Sequence, residues 1–382
     1  MINVFQPSFG DEELAAVREV LESRWVGHGP RVKDFEEAFA RHLGVSTSNV
    51  VSADTCTTAA FTVMELLGLG PGDEVVMPSI GFVGIANAVA ARGATNVFCD
   101  VDPHSLNPRL EDVEKALTAN TRAVVVLHYG GAPGHIAEIA RLCQGRGIAL
   151  VEDAANAQAS RVDGQACGTF GDFGFWSFDH GKIAVAVDGG MLYAKEPGEA
   201  RRAAERLYLG MDRSSGFSQA RNGGHRWWEF DVSSFSRRSV MNDLTAAIGR
   251  VQLTRLDGFV ERRRELASVY DLSLSGVSGV RTPPPLPRGH ESSHYLYWIQ
   301  TAPEIRDAVA ADLYAHGVYT TMRYHPLHRI AAYGSTAVLP DTDSAAASTL
   351  CLPLHQEITE REVRYITEAL ADSVAKHSRS DG

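Results

Sequence analysis

Short apolar runs and amphipathic stretches alternate along much of the chain. The runs at 75–77, 123–127 and 148–151 are apolar throughout and are bounded by Gly or polar residues. That is the pattern of strands buried on both faces. Residues 49–52 and 96–99 read as further strands, and so do the aromatic run at 173–178 and the apolar run at 183–187. Between them, apolar residues recur at helical spacing over 59–67, from 82 through Ala91, over 110–117 and over 136–146, where Gly147 supplies a stop. Strand and helix thus alternate from residue 49 to about 195. The alternation predicts an α/β fold with a mostly parallel sheet and helices on both faces.

The flanks have another rhythm. Leu14, Val17, Val20 and Leu21 predict a helix over 11–23, and a second amphipathic helix covers 32–42. The Gly-rich stretch at 24–30, with Trp25 and His28, is either a plain turn or part of a pocket. Residues 201–209 read as a basic helix. The stretch at 210–230 is long, rich in Gly, Arg and Trp, and reads as a functional loop. Its side chains suit a nucleotide-sugar or an oligomer contact equally. A helix with Met241, Leu244, Ala247, Ile248 and Val251 on one face follows, then a charged helix over 256–272 that bridges to a second domain. Residues 283–287 are a Pro-rich linker. Runs at 295–301, 305–316 and 318–322 predict a smaller α+β unit. The expected division is 1–255 and 256–382.

Composition narrows the function classes. The 382 residues are 44% hydrophobic and 22% charged, with a net charge of −11, ordinary for a globular enzyme and unsuited to nucleic acid. No apolar run approaches the roughly 18 residues that span a bilayer. The first residues have neither the basic start nor the apolar core of a signal peptide. Five cysteines are scattered without C-x-x-C spacing, which predicts reduced thiols and a cytoplasmic location. The histidines near the C-terminus, His325, His328 and His355, lack metal-site spacing, so no metal is expected.

Candidate chemistry gathers at strand ends. Asp54, Asp100, His128, Asp153 and Asp179 each follow an apolar run, and α/β sheets bind ligands at the carboxyl ends of their strands. Asp153 closes the run at 148–151, and Lys182 stands between the runs at 173–178 and 183–187. Alone, such an Asp is a helix cap and such a Lys a surface charge. Together, a carboxylate and an amine are what pyridoxal 5'-phosphate (PLP) requires. The amine forms a Schiff base, and the carboxylate keeps the pyridine nitrogen protonated so that the ring withdraws electrons. Burial is expected to lower the lysine's pKa toward neutrality. Cys56 and Thr57 stand among small and hydroxyl residues before an apolar helix, the setting of a phosphate at a helix N-terminus or of ordinary N-capping.

Four linked motifs carry a resemblance. They are Glu152-Asp153-Ala154-Ala155-Asn156, Gly168-Thr169-Phe170-Gly171-Asp172, Ser177-Phe178-x-x-x-Lys182 and Asp188-Gly189-Gly190. The chain resembles, from about Pro7 to about Leu370, the DegT/DnrJ family of PLP-dependent sugar aminotransferases, which writes E-D-A-A-Q, G-x-x-G-D, S-F-x-x-x-K and E-G-G. The resemblance implies a PLP transferase of fold type I, with a seven-stranded-type sheet and a smaller C-terminal domain. It implies that Lys182 holds PLP and that Cys56, Thr57 and Ser177 bind its phosphate, Cys56 replacing the usual Gly. It implies that Phe82 stacks on the ring and that Asn156 takes the place of a Gln beside the phenolic oxygen. Asp179 stands where the family often has His. Arg238 falls where relatives carry an Asn that reaches the partner subunit's phosphate. A homodimer with a shared site follows from the same resemblance. The substrates it implies are a nucleotide-linked keto-sugar or a keto-cyclitol, with L-glutamate or L-glutamine as amino donor. Two alternatives share the scaffold. A sugar dehydratase carries His in place of the lysine, and His180 lies two residues away. A regulatory protein would not need Lys182 and Asp153 at all.

Overall fold

The computed structural model describes residues 1–211, 220 and 226–378. At its centre are seven strands: β1 (Val50–Ala53), β2 (Glu74–Pro78), β3 (Thr95–Cys99), β4 (Thr121–Leu127), β5 (Ala149–Asp153), β6 (Phe173–Ser177) and β7 (Gly190–Ala194). They lie in the order β1-β7-β6-β5-β4-β2-β3. The pairs from β6 across to β3 are all parallel. Only β7 is reversed, antiparallel to both β1 and β6. The α/β architecture with a mostly parallel seven-stranded sheet is as the alternating pattern and the resemblance predict.

Period-two alternation decides which face each strand residue serves. Val125, Phe173 and Phe175 join the core under α3 (Cys56–Leu66) and α4 (Val83–Ala90). Val124, Val126 and Trp176 join the opposite core, with Phe35 and Phe39 of α2 (Pro30–Leu43). The central strands are apolar on both faces because helices cover both faces. A third core is built by β8 (Tyr297–Gln300), β9 (Thr349–Leu352), helices Pro303–Ala315 and Glu360–Ser378, and the C-terminal half of one long helix.

That helix, Asp243–Leu274, is 32 residues long and unbroken. The sequence reading divided it near residue 254; its buried face passes from the core that holds Ala246 to one that holds Leu256 and Phe259, and then to the third core from Leu266 onward. A second expectation fails at 183–187. That run is buried except for Val187 and is not a strand. Its backbone is bonded by side chains instead: Ala184 N–H donates to Gln158 Oε1 at 2.9 Å and Val185 N–H to Gln252 Oε1 at 3.3 Å. The strand comes one step later, as β7. Among the described residues no helix is long and apolar enough to cross a membrane.

Candidate active site

Register sets the site's floor. Leu127, Asp153 and Phe175 are paired side by side across β4, β5 and β6, and Ser177 ends β6. All four line a cavity of about 390 Å³ at the carboxyl ends of these strands, a volume in the range of small-ligand sites. Around it stand Cys56 and Thr57 from the first turn of α3, Phe82 and Gly84 at the start of α4, and Asp179, Lys182 and Asp188 from the segment between β6 and β7. Arg323 and Tyr324 come from the far C-terminal half.

Each motif has a physical reason. Glu152 is fully buried and accepts four hydrogen bonds. Phe170 and Gly171 N–H reach Oε1 at 2.6 and 2.9 Å, while Gly168 N–H and His128 Nε2 reach Oε2 at 2.7 and 3.0 Å. The acid before Asp153 is therefore the hub that folds the Gly168–Asp172 turn. Gly168 has φ +96°, and a Cβ there would sit 2.1 Å from Trp176. A Cβ at Gly190 would sit 2.5 Å from the Thr55 carbonyl, so glycine lets β7 pack on the cap of α3. In that cap Thr55 Oγ1 accepts the Thr58 N–H at 2.9 Å. Helical geometry gives the N–H groups of Cys56 and Thr57 no carbonyl of their own, and both face the cavity end.

The two groups that started the argument meet here. Asp153 is buried and accepts the Ala155 N–H at 3.0 Å. Burial raises its pKa, partly offset by that hydrogen bond and by the charges of Lys182 and His128. The Lys182 ammonium donates to Asn156 Oδ1 at 3.2 Å and lies 4.6 Å from the centroid of the Tyr295 ring. Burial alone would lower its pKa, but Tyr295, Tyr324, Cys56 and Asp153 outweigh it and raise the pKa. The expected depression is thus overturned, because the groups around this amine are acids and phenols. The Cys56 thiol is pushed up by burial first and by Asp153 second.

The residues predicted from sequence divide cleanly. Lys182, Asp153, Cys56, Thr57, Phe82 and Ser177 face one cavity. Phe82 is half-exposed at the rim rather than in a core, 6.0 Å from the Tyr324 ring. Asn156 lies beneath, in contact with Lys182. Its buried Nδ2 has no hydrogen-bond partner among the described residues. Arg238 is exposed, lies over the Tyr208 ring at 5.9 Å and does not line the cavity of its own subunit. The stretch at 210–230 falls largely on residues 212–219 and 221–225, which are outside the described residues. Tyr295 and Arg323 were missed. Nothing in the local sequence marks them, since their partners come from distant segments.

A Ser79–His328–Asp343 chain also exists. Ser79 Oγ is 2.7 Å from His328 Nδ1, and His328 Nε2 is 3.2 Å from Asp343. Ser79 is fully buried and also accepts the His328 N–H at 3.1 Å. A hydroxyl without access to substrate is no nucleophile, and the chain latches the loop that carries Arg323 and Tyr324 onto the end of β2.

Residues 7–371 match the DegT/DnrJ/EryC1/StrS aminotransferase family. The chain belongs to this family. It is 50% identical over 377 residues, 99% of this chain and 98% of the relative, to a dTDP-4-dehydro-2,3,6-trideoxy-D-glucose 4-aminotransferase of Saccharopolyspora spinosa. It is 31% identical over 96% of each chain to the spore coat polysaccharide biosynthesis protein SpsC of Bacillus subtilis (strain 168). Among solved structures, the aminotransferase TlmJ from Streptoalloteichus hindustanus superimposes with a TM-score of 0.94 at 56% identity, over 98% of this chain and 99% of that one. This DegT/DnrJ/EryC1/StrS aminotransferase therefore has its cavity at the strand ends of a fold that its relatives share over nearly their whole length.

Proposed function

We propose that this aminotransferase uses PLP to move an amino group from L-glutamate or L-glutamine to a keto-sugar carried on a nucleotide, in amino-sugar or secondary-metabolite biosynthesis. One observation carries the reading: the Asp153 carboxylate, at the end of β5, and the Lys182 amine, from the segment that follows β6, open on one cavity. The two relatives' names, one a dTDP-sugar 4-aminotransferase and one a polysaccharide biosynthesis protein, support the sugar. The residues present fit the cofactor. The N-terminus of α3 offers unpaired N–H groups to a phosphate, Ser177 adds a hydroxyl, and the unpartnered Asn156 Nδ2 is a buried donor in want of an acceptor.

PLP supplies an aldehyde that takes up amines and a ring that withdraws electrons from the carbon next to nitrogen. The chain supplies the rest. Asp153 keeps the ring nitrogen protonated, and Phe82 packs on the ring face. Lys182 would anchor the cofactor covalently, and its amine would hold and move the proton at the donor's α-carbon. Arg323 gives the donor's carboxylate a cation to meet. The aromatic and aliphatic side chains of Trp228, Phe230, Val232 and Phe235 are exposed in one subunit. They support a homodimer in which the partner subunit completes the site and Arg238 turns toward a neighbour. The five unpaired thiols support a reducing, cytoplasmic setting.

The test is the visible absorption spectrum of the purified protein with PLP, before and after L-glutamate. A band that glutamate bleaches, and that is lost in Lys182→Ala, is the expected result. A band that ignores both glutamate and glutamine would move the dehydratase reading forward. Absence of any band would overturn the assignment of Lys182.

A further inference from the structure

The Lys182 ammonium is held in an unusual way. Two neutral groups hold it, the Asn156 amide oxygen at 3.2 Å and the face of the Tyr295 ring at 4.6 Å. Among the described residues no carboxylate forms an ion pair with it. Both neighbours are almost wholly buried, at 1% exposure each. The other groups that bear on the amine are Tyr324, Cys56 and Asp153.

Tyr295 is fixed with more apparatus than a packing residue needs. Phe5, from the N-terminal segment, stacks on its ring at 5.3 Å and 17°. Its N–H donates to the Gly130 carbonyl at 2.8 Å. Its carbonyl accepts from Arg263 Nη1 at 3.2 Å. Arg263 is itself buried and gives its other hydrogen bonds to the His294 and Leu354 carbonyls and to Gln356. A buried guanidinium is thus committed to the peptide on which the ring is mounted.

We propose that Tyr295, with Asn156, is the holding place of the Lys182 amine whenever that amine is not bonded to the cofactor. The proposal rests on the aminotransferase reading, in which Lys182 must leave the cofactor, stay within reach of the substrate carbon and return. An ion pair would hold the amine firmly and bias it toward a permanently charged form. An aromatic face attracts the ammonium more weakly, takes no proton from it and exerts little pull on the neutral amine. The ring therefore keeps the amine near without an ion pair that would have to be broken when it leaves. Tyr295 is in this sense a positioning residue that acts through Lys182.

The ring and the hydroxyl are separable. Tyr295→Phe keeps the ring, Tyr295→Leu removes it, and phenylalanines with one, two or three fluorines placed at 295 keep the shape while weakening the face. The chain has five lysines, so selective 13C labelling of the lysine ε-carbon in PLP-free protein gives five signals. Lys182 is identified by its loss in Lys182→Ala. The Lys182 ε-methylene should be shifted upfield by the ring current in wild type and Tyr295→Phe, and should return to the ordinary lysine position in Tyr295→Leu. In the PLP-loaded protein, the single-turnover rate of glutamate bleaching should be near wild type for Tyr295→Phe. It should fall stepwise with fluorination, and about tenfold for Tyr295→Leu, with the glutamate concentration at half-saturation unchanged.

The fluorinated series carries the test even if Tyr295→Leu does not fold. A normal Lys182 shift in wild type, or a rate flat across the series, would overturn the proposal. Equal losses in Tyr295→Phe and Tyr295→Leu would assign the effect to the hydroxyl and overturn it too. Failure of both glutamate and glutamine to bleach the wild-type band would instead overturn the aminotransferase reading, on which this role depends. The NMR signal reports the contact independently of that outcome.

Discussion

Arg323 shows how a single residue can be read from the lack of an acidic partner among the described residues. Its guanidinium lies 4.4 Å from the Phe5 ring and 5.8 Å from the Tyr324 ring, and no carboxylate pairs with it among the described residues. Lys182 and Arg323 are the cations that line the cavity; Asp153, Asp179 and Asp188 are the acids. With Lys182 engaged by the cofactor as proposed, Arg323 would be the remaining cationic side chain that lines the cavity among the described residues. A donor amino acid brings a carboxylate into that acidic surrounding and needs such a partner, since a buried charge without one is costly. Arg323→Gln should therefore raise the KM for glutamate roughly 10- to 100-fold, the worth of one lost charged hydrogen-bond pair, while the PLP absorption band remains. An unchanged KM would show that the carboxylate is held elsewhere. Sequence alone could not find Arg323, because an arginine in a loop has many bland uses. Lys182 and Asp153 were legible because ionisable residues flanked by apolar runs need a reason.

At the scale of elements, periodicity located the strands and failed where side chains replaced strand pairing. The run at 183–187 has the composition of a strand, yet two glutamines bond its peptides, and no pattern in the run itself reveals partners that lie elsewhere in the chain. The two-residue strands Arg161–Val162 and Gln165–Ala166 are too short to leave a period. The long helix Asp243–Leu274 was split because its buried face serves three cores in turn. The Gly168–Asp172 turn has the opposite lesson. Its letters were recognised as a motif, but their cause is Glu152, whose carboxylate collects three backbone N–H groups and His128. Glu152→Gln would turn an amide N–H₂ toward one pair of those donors and leave them unsatisfied. Urea unfolding of the PLP-free protein should show a loss of about 3–5 kcal/mol, as for other broken buried charge networks. A loss below about 1 kcal/mol, the scale of a surface substitution, would mean that the turn holds itself and Glu152 is incidental.

Over the whole molecule, the N-terminal segment and the C-terminal half close on each other around the site. Ile2 bridges to Val318, and Leu354 N–H donates to the Val4 carbonyl at 3.3 Å, so Phe5 is brought against Tyr295 and Arg323. The buried cation at this junction, Arg263, makes the junction sensitive to acid. His355 is 4% exposed and lies within reach of the Arg263 charge. Burial first, and the Arg263 charge second, depress its pKa from the usual 6.5 to about 4. His294 falls to about 4 as well, through burial, Arg264 and Arg263. Between pH 4 and 6.5 the unfolded chain therefore binds protons that the folded chain refuses. Stability from these two residues is complete above about pH 6.5 and is lost as pH falls toward 4. A depression of this size corresponds to about 3 kcal/mol for either histidine, and the two share Arg263, so their effects do not simply add. Asp153, Asp188 and Asp271 act in the other direction, since burial raises each of them. The difference between variants, rather than the absolute slope, isolates the histidines. Measured by urea at fixed protein concentration, His355→Gln should flatten the rise in unfolding free energy from pH 4.5 to 6.5 and leave the plateau above pH 7 parallel to wild type. Equal slopes in the two proteins would mean that His355 is protonated in the folded chain and that Arg263 does not control it.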